Sequence, residues 1–379
     1  MPAVKKPTVP FKNWFDAALY RQIADELGAV EPKFDRKKFL ALTLEGLDGR
    51  ELMDRVRQTA LAAEAALPGN YRDKLAVLRQ IAPRIKHGFV NVSFCHFVAQ
   101  HGLDDFEHSL DALKFLTAFG SAEFAVRPFI QRDPARALAL LQAWALDKSE
   151  HVRRLASEGS RPRLPWGARL KAIVENPELA APILETLKAD PALYVRKSVA
   201  NHLNDIAKDH PDWVLDRVEA WDRTNAGTAW IVRHALRTLV KKGHPRALAL
   251  FGVATAAAAR IKVRRFTVSP KTLALGEAFE LKAELISIDK KTLPLVIDYV
   301  VHYVKASGAT SAKVFKWTEA RLQPDQPLVL TKRQTIRDFT TRSHHSGRHR
   351  VELQVNGQRL AETEFKLVVK PKKSAKSRS

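Results

Sequence analysis

The spacing of apolar residues changes near Ile261, and this change limits the folds that are open to the chain. From Phe11 to about Ala258, apolar residues recur with the period of an α-helix, and Gly, Pro or Asp-Pro separates one helix-length stretch from the next. Beyond Ile261, apolar and polar residues alternate, as they do in strands with one buried face. The clearest alternating run contains Phe279, Leu281, Ala283 and Leu285. The sequence therefore predicts a mainly α protein with a smaller β part at its C-terminal end.

The β part contains a strong hairpin signal. An alternating run that ends at Val355 leads into Asn356-Gly357, a pair of residues that two-residue hairpin turns favour. Several short strands of this kind, separated by turn residues, are typical of an antiparallel β-sandwich of immunoglobulin type. The predicted bounds are 1–260 for the helical domain, 261–370 for the immunoglobulin-like β-sandwich and 371–379 for a disordered basic tail.

A Val-Arg pair recurs in the helical part, each time early in a helix that follows an apolar one. The pairs are Val126-Arg127, Val152-Arg153, Val195-Arg196 and Val232-Arg233. Their spacing is irregular but mostly within the range of two-helix repeats, and the pattern resembles the HEAT family, whose second helices carry a similar pair. The resemblance implies a HEAT-like helical-repeat solenoid in which several arginines share one concave face. Alternatively, these arginines form ion pairs between neighbouring repeats.

The charge of the chain points to a polyanionic partner. The formal net charge is +22 and the isoelectric point is near 10.1, so nucleic acid is the first candidate and a membrane surface the second. No apolar run is long enough to span a bilayer, and the N-terminal residues lack the apolar centre of a secretory signal. A cytosolic protein without membrane segments is expected.

Familiar catalytic motifs are missing from the sequence. It contains no Gly-rich phosphate loop, no zinc-deaminase spacing and no Gly-x-Ser-x-Gly elbow. The single cysteine, Cys95, excludes a disulfide framework and a cysteine metal cluster, and adjacent His344 and His345 are poorly spaced for a metal site. Neither a metal nor a cofactor is therefore expected.

The segment Ser157–Trp166 departs from the helical pattern around it. A helix ends there in Glu158 and a glycine, although a carboxylate at a helix C-terminus opposes the helix dipole. Two arginines and Trp166 follow, in a stretch that contains Pro162 and Pro165. Local rules that are broken without a structural gain are expected at functional sites. The segment is therefore the first candidate for an active site.

Three acidic residues and one tryptophan are the candidate catalytic residues, and each also has a structural interpretation. Glu158 and Trp166 belong to the irregular segment, but Trp166 is also suited to filling the space between two repeats. Asp205 lies inside a helix, where aspartate is weakly disfavoured, and it could instead face solvent. Glu123 follows Ser121, as a stabilising glutamate in a first helical turn does.

A basic loop between two strands of the β part is the second candidate surface. It runs from Arg342 to Arg350, carries donors of several lengths and is able to reach a DNA groove. The alternative is an exposed hairpin loop without a ligand. The residues of this loop predicted to contact DNA are Arg342, His344, His345 and Arg348.

From about Phe11 to Val369 the chain resembles the HEAT-like repeat DNA alkylation-repair glycosylases, specifically the AlkC branch of the AlkC/AlkD group. The resemblance rests on the Phe39…Arg50-Glu-Leu…Arg55 opening, the Val-Arg repeats, the Ser157–Trp166 segment and the appended immunoglobulin-like domain.

This resemblance implies a monofunctional glycosylase of base excision repair that acts as a monomer in the bacterial cytosol or nucleoid. Such an enzyme hydrolyses the N-glycosidic bond of cationic N-alkylated bases, 3-methylcytosine and 3-methyladenine among them, in double-stranded DNA and without base flipping. Glu158, Asp205 and Glu123 are then expected to stabilise charge and position water, and Trp166 to face the lesion. The residues expected to contact phosphates are Arg153, Arg154, Arg161, Arg163, Arg196 and Arg233.

Two other functions fit the same sequence. A non-enzymatic binder of damaged DNA would share the charge and the fold and would differ only in the use of the acidic residues. A protein-interaction scaffold would share the helical repeats, as most HEAT arrays do, but would not need the high positive charge.

Overall fold

A computed structural model describes residues 10–338 and 343–369. The predicted basic tail, 371–379, lies outside these residues. The chain forms two compact units, Met1–Ala235 and Leu236–Ser379. The division falls before the position near residue 260 at which the sequence predicts the domain boundary. The last two helices therefore belong to the same unit as the strands.

The first unit consists of helices joined by short connections. Its α-helices are α1 (Ala17–Val30), α2 (Arg36–Leu44), α3 (Leu52–Ala66), α4 (Tyr71–Ile81), α5 (Val92–His101), α6 (Phe106–Leu116), α7 (Arg127–Arg132), α8 (Pro134–Trp144), α9 (Glu150–Gly159), α10 (Lys171–Glu175), α11 (Ala181–Leu187), α12 (Leu193–Ile206), α13 (Pro211–Ala220) and α14 (Ala226–Ala235). Short 3₁₀-helices lie at Phe11–Trp14, Leu47–Gly49, Ala82–Arg84 and Pro177–Ala180.

Capping residues fix where several of these helices begin. The Asp16 side chain accepts a hydrogen bond from the Leu19 amide at 2.8 Å, which satisfies a free N–H at the start of α1. Asn70 and Asp73 form a reciprocal capping box at the start of α4. Each helix then buries one apolar stripe against its neighbours, and α12 packs on both α9 and α14. The helical-repeat architecture predicted from the sequence is confirmed.

The second unit joins two short helices to a β-sandwich whose strand pairs are antiparallel except for the short parallel pair of β2 and β8. Its helices are α15 (Arg237–Lys241) and α16 (Pro245–Ala249), followed by a 3₁₀-helix at Thr255–Arg260. Its strands are β1 (Ile261–Ser269), β2 (Thr272–Ala274), β3 (Ala278–Ser287), β4 (Leu293–Val304), β5 (Thr310–Leu322), β6 (Leu328–Thr335), β7 (Gly347–Val355) and β8 (Gln358–Val368). One sheet has the order β1-β3-β6 and the other β2-β8-β7-β4-β5. The immunoglobulin-like prediction is confirmed.

The sandwich core is built from the apolar residues that alternate along the strands. Phe279 and Leu281 of β3 are fully buried, as are Ile297 of β4 and Leu353 of β7. Alternate residues of a strand point to one face, so each strand contributes one apolar row to the space between the sheets. No helix among the described residues is long and apolar enough to cross a membrane.

The predicted hairpin joins β7 and β8 and also contacts the helices of the second unit. Val355 pairs with Gln358, and Asn356 and Gly357 have φ angles of 48° and 83°, as a type I′ turn requires. A Cβ on Gly357 would lie 2.2 Å from the Cα of Gly243, which follows α15. Asn356 also donates a hydrogen bond to the Ala254 carbonyl at 3.1 Å. The turn therefore packs directly on the end of α15.

Candidate active site

The irregular segment that follows α9 is held by one buried arginine. Arg127 of α7 is 1% exposed and donates to the carbonyls of Gly159 at 2.9 Å, Arg161 at 2.8 Å and Ala168 at 2.9 Å. Burial lowers the pKa of Arg127 to about 10, and the positive charge of Arg161 adds to this effect. A guanidinium offers several donors in one rigid plane, so one side chain satisfies carbonyls that no helix can pair.

Glu158 and Asp205 are both buried and are joined by Arg161. Arg161 donates to Glu158 Oε1 at 2.7 Å and to Asp205 Oδ2 at 2.7 and 2.9 Å. Ser198 donates to the other oxygen of Glu158 at 2.6 Å, and Lys208 donates to Asp205 Oδ1 at 2.9 Å. The two carboxylates predicted to act together are thus neighbours, 6% and 3% exposed.

Helix α12 supplies this side of the site because its polar residues repeat at helical spacing. Ser198, His202 and Asp205 recur at intervals of four and three residues, so they lie on one face of the helix, which packs on α9. Burial lowers the pKa of His202 to about 3, and Arg161 contributes in the same direction. His202 is therefore neutral at physiological pH and adds no charge to the cluster.

Glu123 joins the same cluster through Arg154. It lies in a turn before α7, not inside a first helical turn, and its carboxylate forms an ion pair with Arg154. Arg154 also donates to Ser121 Oγ at 2.7 Å and lies 3.5 Å from Glu158. The ring of Tyr194 lies 5.1 Å from the guanidinium carbon of Arg154, within the range of a cation–π contact. Three carboxylates and two arginines therefore form one continuous network.

Trp166 lies on the surface and does not fill a gap in the core. Its side chain is 77% exposed, and its φ angle of 65° is uncommon for a residue other than glycine. The structural interpretation of this residue as a core filler is therefore wrong. Residues with strained backbone conformations cluster at functional sites. Trp166 is strained in this way although its side chain is mostly exposed.

Two further arginines predicted to contact phosphates, Arg153 and Arg163, form ion pairs with carboxylates outside the network. Arg153 is bound to Asp190 at 2.6 and 3.2 Å, and the Asp190 side chain is 3% exposed. Arg163 makes a bidentate pair with Asp209, with both distances at 2.8 Å. This is the arrangement of the alternative interpretation, in which arginines connect neighbouring repeats. A phosphate contact by either residue remains a prediction.

Arg196 and Arg233 lie on α12 and α14. Arg196 donates to the carbonyls of Asp190 and Pro191 at 2.9 and 2.7 Å and lies 5.9 Å from the ring centroid of Trp230. Arg233 is exposed on α14. Their predicted role in phosphate binding likewise remains a prediction.

His344 of the basic loop points into the β-sandwich. Its side chain is 3% exposed and its ring packs edge-on against Tyr303, with 5.1 Å between the ring centroids. The His344 amide donates to Asp338 at 2.8 Å, and the ring lies 3.2 Å from the same carboxylate oxygen. This position differs from the prediction that His344 reaches into a DNA groove. The Tyr303 ring and the Asp338 carboxylate hold the His344 side chain in its buried position.

The other loop residues have different surroundings. Arg342 lies outside the described residues. His345 lines a cavity of about 300 Å³ together with Lys305 and Lys313. Arg348 is exposed and forms an ion pair with Glu364 at 2.9 Å. DNA contacts by Arg342, His345 and Arg348 remain predictions.

The sequence reasoning missed Arg127 and Tyr194. Arg127 belongs to one of the four Val-Arg pairs, and its immediate sequence is like that of the other three repeat arginines. Its only distinguishing signal is its distance of about one repeat from the segment with two prolines. Tyr194 begins α12 beside another exposed apolar residue, Leu193, and nothing in its local pattern indicates a contact with Arg154.

Comparisons with known proteins match both parts of the chain. A sequence model of the family described as DNA alkylation repair enzyme matches residues 100–239, and one described as the C-terminal Ig-like domain of uncharacterised protein YhaZ matches residues 262–369. The Bacillus subtilis (strain 168) protein YhaZ, itself uncharacterized, is 40% identical over 348 residues, which are 92% of this chain and 96% of YhaZ.

A solved structure is similar over almost the whole chain. It is the Pseudomonas fluorescens alkylpurine DNA glycosylase AlkC, bound to DNA that contains an abasic site analog. That protein is 48% identical, and the match covers 95% of this chain and 100% of the other with a TM-score of 0.91. The carboxylate network described above lies within the part of the chain that matches the DNA alkylation repair model.

Proposed function

Because the chain belongs to the family of DNA alkylation repair proteins that includes AlkC and YhaZ, we propose that it is a DNA glycosylase. The reaction is hydrolysis of the N-glycosidic bond of an N-alkylated base in double-stranded DNA. The observation that carries the proposal is the buried network of Glu123, Glu158 and Asp205, which is followed in the chain by the exposed Trp166 of the irregular segment.

The chemistry of the lesion suits such a network. Alkylation of a ring nitrogen makes the base cationic, so the base departs with the bonding electron pair and becomes neutral without receiving a proton. Positive charge then develops on the deoxyribose, as it does in glycoside hydrolysis. Carboxylates held nearby stabilise that charge, and one of them accepts the proton that water loses as its oxygen bonds to C1′.

Trp166 contributes an aromatic face on the DNA side of this network. A cation over a tryptophan ring gains about 0.5–2 kcal/mol, which corresponds to roughly one decade in rate. Most of the acceleration therefore comes from the carboxylates. The cationic bases 3-methyladenine and 3-methylcytosine are the proposed substrates, since both leave without a general acid.

The proposal includes cleavage without base flipping. Enzymes that flip a base enclose it in a pocket that reads its edge. Trp166 is 77% exposed, which suits contact with a lesion that stays in the duplex. The net charge of +22 supplies the attraction to phosphates, so binding is expected to weaken steeply with salt.

A non-enzymatic binder of damaged DNA is the second candidate function. The observation that favours it is that every carboxylate of the network already has an arginine or lysine partner. An ion network that is complete in itself suits a structural role as well as a catalytic one.

Base release separates the two functions. A duplex with one 3-methylcytosine, and a duplex methylated to contain 3-methyladenine, are incubated with excess protein, and the released base and the resulting abasic sites are measured. Glu158→Gln is expected to slow release by about 100-fold, because one stabilising group is lost. Glu150→Gln is the matched control, since Glu150 is an exposed glutamate in the first turn of the same helix. Tight binding without release of either base would refute the enzymatic function.

A further inference from the structure

Arg154 occupies an environment that suits a planar cation. Its guanidinium forms an ion pair with Glu123, lies 3.5 Å from Glu158 and stands 5.1 Å from the ring centroid of Tyr194. Two carboxylates at the edge and an aromatic face beneath are the groups that bind a delocalised positive charge in proteins. In this structure, an arginine of the protein itself fills this position.

We infer that Arg154 stands in for the positively charged deoxyribose that forms during base excision, and that Tyr194 is an aromatic wall of the site for that cation. When damaged DNA binds, Arg154 leaves Glu123 and Glu158, and the sugar takes its place between them. This inference rests on the proposed glycosylase function. It assigns Tyr194 as a further specificity-determining residue and Arg154 as the group that closes the empty site.

The two arginines of the network differ in how firmly they are held. Arg161 contacts two carboxylates of packed helices, and its carbonyl is bound by Arg127. Arg154 has its closest carboxylate partner, Glu123, in a turn outside the helices, and the ring that covers it is 41% exposed. Arg154 is therefore the arginine that is able to move, and Arg161 is the fixed one.

Movement of Arg154 also reconciles its pairing with the predicted phosphate contact. A guanidinium that leaves two carboxylates needs another anion, and the DNA backbone supplies one in bidentate geometry. The carboxylates are then exposed only where DNA is bound. An empty site carries compensated charges and has little attraction for cations that are not part of DNA.

The test compares two abasic analogues in otherwise identical duplexes. One contains a pyrrolidine, which carries a positive charge at the sugar position, and the other contains a neutral tetrahydrofuran. The ratio of their dissociation constants measures the preference for a cationic sugar, and it is unaffected by phosphate contacts common to both. Arg154→Met is expected to raise this preference at least about fivefold, because a competing cation has been removed.

Tyr194 is tested with the same ratio. Tyr194→Leu is expected to lower the preference for pyrrolidine about threefold, in the wild-type background and in the Arg154→Met background, because the aromatic face is lost. Tyr194→Phe keeps the ring and should keep the preference. Arg169→Met, at an exposed arginine in the segment that connects α9 to α10, is the charge-matched control and should leave the ratio unchanged.

Three results would overturn the inference. If Arg154→Met weakens binding of both duplexes equally, Arg154 is a phosphate contact only. A lower preference for pyrrolidine in that variant would show that Arg154 supports the carboxylates instead of competing with the sugar. Should Arg154→Met fail to fold, Arg154→Lys loses the planar fork but keeps the charge and is expected to give an intermediate ratio. Wild-type base release with an unchanged ratio would refute this inference and leave the glycosylase function standing.

Discussion

Replacing Arg161 tests whether the carboxylate network is as buried as the structure shows. Arg161 bonds Glu158 and Asp205 at 2.7 Å each, and these carboxylate side chains are 8% and 5% exposed. Arg161→Met removes the cation that joins them, so Asp205 keeps only its pair with Lys208 at 2.9 Å and Glu158 its more distant neighbour Arg154 at 3.5 Å among the described residues. Removing one partner of a buried ion pair costs about 3–5 kcal/mol of unfolding free energy when the remaining charge is uncompensated. Because Lys208 and Arg154 still compensate part of the charge, the loss is expected at the lower end of that range.

Arg163→Met is a matched control on the same connecting segment. Its pair with Asp209 is bidentate but more exposed, with side-chain exposures of 22% and 30%, so its loss is expected to cost at most about 1 kcal/mol. Both variants are unfolded in urea. Their unfolding free energies are compared provided that the free energy depends equally steeply on urea concentration in both.

The refuting result is a loss of stability no larger than that of Arg163→Met. Equal losses would mean that water reaches Glu158 and Asp205 in solution. Arg161 would then be held no more firmly than Arg154. If the two carboxylates are solvated, the Arg161→Met variant should fold and its rate of base release can still be measured.

Three further predictions concern single positions. Burial raises the pKa of Asp298 to about 6. Between about pH 4 and 6 the folded state keeps this proton while the unfolded state has lost it, so the unfolding free energy falls as the pH rises through this range. Asp298→Asn should therefore raise the unfolding free energy measured in urea by up to about 2 kcal/mol at pH 7 and leave it unchanged at pH 4. Trp166→Gly relieves a left-handed backbone and should leave stability unchanged or raise it by about 1 kcal/mol while base release falls; a clear loss of stability would contradict this. Gly357→Ala should lower the unfolding free energy by more than about 2 kcal/mol, since the added Cβ meets Gly243. Gly276 is also at positive φ but has open space around it, so Gly276→Ala measures the backbone cost alone. Equal decreases in melting temperature for the two variants would refute the contact.

Periodicity was enough to predict the architecture. The change from helical to alternating spacing is a local property, and burial of one face per element fixes the layers that follow. The Asn356-Gly357 turn was equally predictable, because only a few residue pairs adopt positive φ at both turn positions. Glu158 was identified for a local reason too, as a carboxylate at a helix end where the dipole disfavours it.

The partners of the charged residues were not predictable in the same way. Arg127 reaches Ala168, and Arg153 reaches Asp190, across 41 and 37 residues of sequence. Such pairs depend on which helices pack together, which no local spacing encodes. The inward position of His344 has the same origin, since the charge of the loop suggested exposure while the Tyr303 ring and Asp338 provided a buried place for it.

The contact between Gly243 and Gly357 has a consequence during synthesis of the chain. Helices α15 and α16 leave the ribosome long before the hairpin on which they pack, roughly 110 residues later, a delay of about 6–20 s at 5–20 residues per second. Leu248 has to wait in the same way for Val296, against which it is buried. The first unit can complete its core during this interval, while the apolar side of α16 is open to chaperones. In nascent chains that are halted before residue 357, the first unit should therefore resist proteases, whereas α15 and α16 should be cleaved.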